Sequence, residues 1–126
     1  MIERFLTLTA IIEAATGLAL IAVPAIVVRL LLGAEISGAS IPLGRVAGAA
    51  LLALGVACWL ARNDRQSRTA RGLVVAMLVY NIVATAVLAF AGIGLGLHGV
   101  ALWPAVVLHA VMAIWCMVCL RRSPSM

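Results

Sequence analysis

Charge is scarce in this sequence, and one long segment has none. Charged residues make up 10% of the chain, against about 25% of a typical soluble domain. Lysine is absent, and residues 72–120 contain no Asp, Glu, Lys or Arg. A helix crosses a bilayer with about 20 apolar residues, so this segment is long enough for two crossings and a hairpin. Apolar residues make up 66% of the chain, more than a small soluble fold can bury.

The sequence also lacks the motifs of several familiar enzyme sites. It has no phosphate-binding loop, no HExxH and no nucleophile elbow. The odd number of cysteines argues against a disulfide framework, and we interpret Cys58, Cys116 and Cys119 as small buried apolar residues. His98 and His109 are too far apart along one helix to bind the same haem. We therefore predict no metal site and no cofactor.

The apolar runs predict an all-α integral membrane protein, a four-helix bundle that forms a single domain over residues 1–126. We interpret the first run as a retained transmembrane helix and not as a cleaved signal peptide. Pro24 lacks the amide proton that a helix interior uses, which predicts a kink there, followed by a short interfacial helix. The predicted spans are residues 5–23, 41–61, 69–91 and 100–120.

Arginine alone supplies the positive charge, and its distribution predicts the orientation. Seven arginines fall on the side of the membrane that holds both termini, and two, Arg29 and Arg45, fall on the other. Because cytoplasmic loops are enriched in positive charge, we predict that both termini are cytoplasmic. The arginines lie at the ends of apolar runs, so we expect them to contact anionic lipid headgroups. No nucleic-acid partner is expected.

Three polar residues interrupt the predicted spans near the middle of the bilayer. Counted from the arginine-rich side at 1.5 Å per residue, Glu13, Asn81 and His109 lie about 13, 15 and 18 Å deep. The half-thickness of the hydrocarbon core is about 15 Å. Polar side chains at this depth face the bundle interior, so the three residues can meet near the midplane.

Three further residues complete the candidate ligand-binding site. Thr16 lies on the same helix face as Glu13, as does Thr9, which we do not assign to the site. Tyr80 adjoins Asn81 in sequence, and Arg45 could turn inward from the opposite side. A carboxyl group and an imidazole together can transfer a proton or bind a polar group of a ligand. Alternatively, the polar residues only join the helices by hydrogen bonds. Catalytic residues are not assigned.

Small residues on the second span predict close helix contacts. Gly44 and Gly48 have the GxxxG spacing that lets two helix backbones approach each other. The pattern is compatible with a compact bundle and with a homo-oligomer.

Two segments carry a resemblance to a known group of proteins. They are residues 44–55, which read GRVAGAALLALG, and Pro24 followed eight residues later by Leu32 and Gly33. Together they resemble small four-helix bacterial inner-membrane proteins of the DoxX-like kind. The resemblance implies a helical bundle in the bacterial inner (cytoplasmic) membrane, and it carries over no catalytic residue.

Three functions are compatible with these features. The leading hypothesis is a non-enzymatic membrane protein that binds a small amphipathic or lipid-like ligand at a buried polar site, or an accessory subunit of a larger membrane complex. The second is a proton-coupled transporter that works as a homodimer, with Glu13 as the proton site. The third is an intramembrane acid–base enzyme, such as an isomerase, that uses Glu13 and His109.

Overall fold

The computed structural model of the protein describes residues 1–64 and 67–122, and these residues form five α-helices without a β-strand among them. The all-α expectation is confirmed. Four of the helices are long and apolar enough to cross a membrane, and the second helix is the short one. The helices are α1 (Ile2–Ala22), α2 (Pro24–Leu32), α3 (Ser40–Ala61), α4 (Arg68–Ile93) and α5 (Leu102–Arg122).

The surface of the described chain is unusually apolar. Large aliphatic side chains are mostly exposed on all four long helices, with Ile11 of α1 at 56%, Leu60 of α3 at 75%, Ile93 of α4 at 78% and Val107 of α5 at 59%. Soluble proteins rarely expose contiguous apolar patches of this extent. The four long helices therefore present lipid-facing surfaces, as the composition predicted.

The helix ends follow from local sequence. Val23 leaves the helical region, with φ −136° and ψ 58°, and Pro24 is the first residue of α2, a position where its missing amide proton costs nothing. Gly33 ends α2 in the left-handed conformation at φ 69°, which only glycine adopts without strain. Ser67 caps α4 by accepting a hydrogen bond from the Ala70 amide at 3.0 Å. Arg65, one of the arginines in the charge count, lies outside the described residues.

The long helices associate in two pairs, α1 with α3 and α4 with α5. Glycines bring the backbones of the first pair together. A Cβ atom on Gly17 would lie 2.6 Å from the Gly48 carbonyl oxygen, and one on Gly55 would lie 2.9 Å from the Ala14 amide nitrogen. Gly44, the other half of the GxxxG pattern, instead faces the Pro24 side chain of α2.

The two pairs join through apolar side chains in the half of the bundle that holds both termini, which we call the termini half. Phe5 contacts Trp115 edge to face, with ring centroids 5.7 Å apart. Four helices contribute to the buried cluster here, which we call the core cluster. Its members are Ile2, Phe5, Leu6, Ala10, Cys58, Ala70, Val74, Met77, Met112, Cys116 and Cys119.

The opposite half, which we call the far half, is held together differently. Gly17 and Gly48 contact each other within the first pair, and Gly92 contacts Leu102 and Trp103 within the second. The connection between the pairs at this end is made by α2. Its Leu30 carbonyl oxygen accepts a hydrogen bond from the Ala101 amide at 2.9 Å.

Candidate functional site

The polar residues of the membrane spans form one layer directly above the core cluster. Glu13 lies one helical turn beyond Ala10, Asn81 one turn beyond Met77, and His109 one turn beyond Met112. Glu13 and Asn81 are buried, at 4% and 2% exposure, and His109 is half-buried. We call these three residues together with Tyr80 the polar layer.

Asn81 and His109 are joined by a direct hydrogen bond. The Asn81 Nδ2 group donates to the Met77 carbonyl oxygen at 2.7 Å, and this bond fixes the orientation of the amide. The Asn81 Oδ1 atom therefore faces His109 Nδ1, 2.8 Å away. Because Oδ1 can only accept, Nδ1 of His109 must carry the proton. In the neutral imidazole, Nε2 then has a free lone pair and acts as an acceptor.

Tyr80 packs against His109 and lies within electrostatic range of Glu13. Its ring lies edge to face against the His109 ring, with centroids 5.5 Å apart and an interplanar angle of 83°. The carboxyl group of Glu13 is close enough to act electrostatically on the Tyr80 hydroxyl, and on Cys58 of α3. Side chains from α1, α4 and α5 thus share one environment.

The packing register places Glu13 and His109 at similar depths. The Phe5–Trp115 contact aligns the antiparallel helices α1 and α5. From there, Glu13 lies eight residues along α1 and His109 lies six residues back along α5. At 1.5 Å per residue these displacements are about 12 and 9 Å, so the two residues differ in depth by only about 3 Å.

Glu13 has no hydrogen-bond partner among the described residues. One turn below it, the Oγ1 atom of Thr9 is fully buried and likewise unpaired within the described chain. Unpaired buried polar groups are rare in native structures because each costs free energy. Glu13 and Thr9 therefore place two side chains without a hydrogen-bond partner among the described residues on adjacent turns of one helix face.

Sequence reasoning placed Thr9 on the face of Glu13 without assigning it to the site. The signal was its spacing of four residues from Glu13, which puts two side chains on one helix face. Thr16, by contrast, is exposed, because the second pair does not cover α1 at that level. Arg45 is also exposed. The structure therefore brings Glu13, Tyr80, Asn81 and His109 together and leaves Thr16 and Arg45 outside the layer.

The cysteines belong to the core cluster and not to the polar layer. Cys58, Cys116 and Cys119 are free and buried. In the part of the chain that the structure describes, no group of three or more His, Cys, Asp or Glu side chains could hold a metal ion. A surface depression lined by Met1, Glu3, Arg4 and Trp115 lies at the termini end of the bundle, away from the polar layer.

Comparison of the chain with protein-family models, with curated proteins and with solved structures found no match. The resemblance to the DoxX-like proteins therefore remains a prediction. The fold itself defines the class: the chain is a multi-pass membrane protein with four apolar helices of membrane-spanning length. Within that class, the distinguishing feature is the polar layer in the middle of the bundle.

Proposed function

We propose that this protein binds the polar head of a small amphipathic or lipid-like molecule at the polar layer. The observation that carries the proposal is the buried carboxyl group of Glu13, at 4% exposure, without a hydrogen-bond partner among the described residues. A ligand that forms a hydrogen bond with this carboxyl group would supply the missing partner. That bond would favour ligand binding and would stabilise the folded protein.

The main alternative, purely structural hydrogen bonding between helices, accounts for only part of the layer. It explains the Asn81–His109 bond, which joins α4 to α5. It does not explain Glu13, because a carboxyl group that joins helices would be bonded to a neighbouring helix. Ionisable residues inside membrane helices are costly and most often functional, which supports a ligand over a structural role for this side chain.

The proposal also covers the membrane in which the protein lies and its orientation there. We place the protein in the bacterial inner membrane with both termini in the cytoplasm, because seven of the nine arginines lie on that side. In this orientation the core cluster occupies the cytoplasmic leaflet. The ligand then enters the polar layer from the lipid of the outer leaflet. The exposed small residues of α3, including Ala47, Ala50 and Ala53, offer a surface for a homo-oligomer or for a larger membrane complex.

The test uses the full-length protein in lipid nanodiscs and a long-chain alkyl photoprobe with a diazirine in the chain. The variant is Glu13→Leu, which removes the carboxyl group at similar volume. The matched control is Glu35→Leu, because Glu35 is an exposed loop carboxylate paired with Arg29 at 3.3 Å. A lost buried hydrogen bond costs about 1–3 kcal/mol. We therefore expect labelling of the Glu13→Leu protein to fall by about tenfold and labelling of the control to stay unchanged.

Peptide mapping of the labelled protein provides the second readout. The proposal predicts adducts on residues of α1, α4 and α5 near the polar layer. Equal labelling of both variants, or adducts spread evenly over the lipid-facing surface, would show that Glu13 has a structural role only.

A further inference from the structure

The polar layer restricts the chemistry of the head group, and this inference rests on the function proposed above. A ligand there meets two groups with complementary hydrogen-bonding roles. The neutral carboxyl of Glu13, the form that hydrocarbon favours, can donate through its hydroxyl. The Nε2 atom of His109 can only accept while the ring is neutral, because Asn81 holds the proton on Nδ1.

An anionic head group does not fit this site. The buried polar or charged side chains of the described chain are Thr9, Glu13 and Asn81, and none of them is a cation. The half-buried His109 carries no charge in its neutral form. A phosphate or carboxylate head at this depth would lie beside a carboxyl group without a compensating charge. The cost of a buried, unpaired charge amounts to several kcal/mol.

An ammonium head could pair with an ionised Glu13, but two ions would have to leave water. The desolvation cost of a buried ion pair often exceeds the energy gained from its attraction. A neutral hydroxyl makes the same number of contacts without separating charge. It accepts one hydrogen bond from the Glu13 carboxyl and donates one to His109 Nε2, so both unpaired groups gain a partner.

The hydrocarbon chain of such a molecule would extend into the far half of the bundle. Between the polar layer and α2, Gly17 packs on Gly48 within the first pair and Gly92 packs on α5 within the second. The glycine contacts between the pairs, of Gly99 with Leu31 and of Gly33 with His98, lie at the level of α2. The core cluster, which joins the pairs, stops below the layer. At the far end, α2 bridges the pairs through the Leu30–Ala101 hydrogen bond. The acyl chain of a ligand bound at the polar layer would therefore extend between the pairs, below α2.

We propose that the ligand is a neutral amphipathic alcohol. Its hydroxyl is bound between Glu13 and His109, and its hydrocarbon chain extends between the two helix pairs in the far half. The hydroxyl differs from an ammonium in one testable respect: it needs a hydrogen-bond donor at residue 13, and it does not need a negative charge there.

The experiment compares four diazirine probes of equal chain length that end in a hydroxyl, a methyl ether, an amine or a carboxylate. Each is used on the nanodisc-embedded protein and on three variants, Glu13→Gln, Glu13→Leu and His109→Leu. Glutamine keeps a donor at the position and removes the charge. We expect the hydroxyl probe to label the wild type most strongly, to retain labelling within about threefold in Glu13→Gln and to lose about tenfold in the two leucine variants.

Matched controls separate loss of binding from loss of folding. His98→Leu removes the exposed histidine of the α4–α5 loop and should leave labelling unchanged. Thermal unfolding of each variant in the same nanodiscs shows whether it is folded. Labelling by the hydroxyl probe that also disappears in folded Glu13→Gln would overturn the proposal, because it would show that the charge is required.

The outcomes distinguish the inference from the proposed function. Strong labelling by the amine or carboxylate probe, lost in Glu13→Leu, refutes the neutral alcohol and leaves ligand binding at Glu13 intact. Labelling by the methyl ether equal to that by the hydroxyl shows that donation to His109 does not contribute, and it also overturns the inference. Labelling that is insensitive to Glu13→Leu for every probe refutes the proposed function itself.

Discussion

The two halves of the bundle are built on different principles. In the termini half, bulky side chains from different helices fill the interior, and Phe5, Leu6, Val74 and Met77 are fully buried. In the far half, glycines bring backbones together within each pair, as at Gly17, and Gly99 of the α4–α5 loop packs against the Leu31 backbone of α2. The polar layer lies at the boundary between these halves.

This difference shows how a small membrane bundle can be held by interdigitated side chains at one end and by close backbone contacts at the other. Lipid chains are as apolar as leucine, so helices in a bilayer associate through close packing and hydrogen bonds and not through exclusion of water. Interdigitated side chains hold all four long helices together in the termini half. In the far half, glycine contacts hold the two helices of each pair together, and the loop between α4 and α5 joins the pairs through α2.

The largest effect is expected from Gly17→Ala, which tests the packing of the far half. The new Cβ would lie 2.6 Å from both the Gly48 carbonyl oxygen and the Leu52 amide nitrogen. Both are backbone atoms and cannot rotate away, so the helices must move apart. We expect a loss of about 3 kcal/mol in unfolding free energy, measured by SDS titration in mixed micelles with circular dichroism.

The matched control for this substitution is Gly72→Ala. A Cβ there meets no atom within 4 Å, and alanine favours a helix over glycine by about 1 kcal/mol. This variant should be as stable as the wild type or slightly more stable. If Gly17→Ala were equally harmless, the first helix pair would not depend on close backbone contact.

The termini half is tested by Phe5→Ala, for which we expect a loss of about 2 kcal/mol. The same substitution in the core of a water-soluble protein costs about 3–5 kcal/mol. The expected loss is smaller here because the unfolded state in lipid already shields the ring from water. Phe90→Ala serves as the control, since Phe90 is 63% exposed and faces lipid. The same SDS titration measures both. Similar losses in the two variants would mean that the core cluster does not hold the pairs together.

The smallest change in stability is expected from loss of the Asn81–His109 hydrogen bond, which lies at the boundary between the two halves. A double-mutant cycle with Asn81→Leu and His109→Leu isolates the coupling between the two side chains, and we expect about 0.6 kcal/mol, as for other hydrogen bonds between membrane helices. The cycle is measured by the same titration. A coupling free energy of zero would show that the hydrogen bond between His109 Nδ1 and Asn81 Oδ1, 2.8 Å long, contributes nothing to stability. The assignment of the histidine proton would then lose its support.

The depth of each polar residue in the membrane could be predicted from the sequence, whereas the direction in which its side chain points around the helix axis could not. Helix rise fixes depth, so counting residues from the arginines placed Glu13, Asn81 and His109 in one layer. Rotation about the helix axis depends on which helices pack against which. The sequence alone also did not show how far along α1 the second pair packs, and so it could not separate buried Thr9 from exposed Thr16 on the same face.

The helix count was predictable for a similar reason, since apolar length alone decides what can span a bilayer. The GxxxG pattern on the second span was less informative. Gly48 makes the expected close contact, but its partners there are Gly17 and Leu20 of α1, and Gly44 faces α2. A glycine pattern on one helix gives no information about the helix that it meets.

The division into two pairs also has a consequence for biogenesis. The spans of each pair are consecutive in the chain, so α1 and α3 can associate while the ribosome is still making α4. Asn81 and His109 complete their hydrogen bond inside the second pair, whereas Glu13 belongs to the first. The polar layer is therefore finished only when two separately inserted halves of the polypeptide dock in the plane of the bilayer.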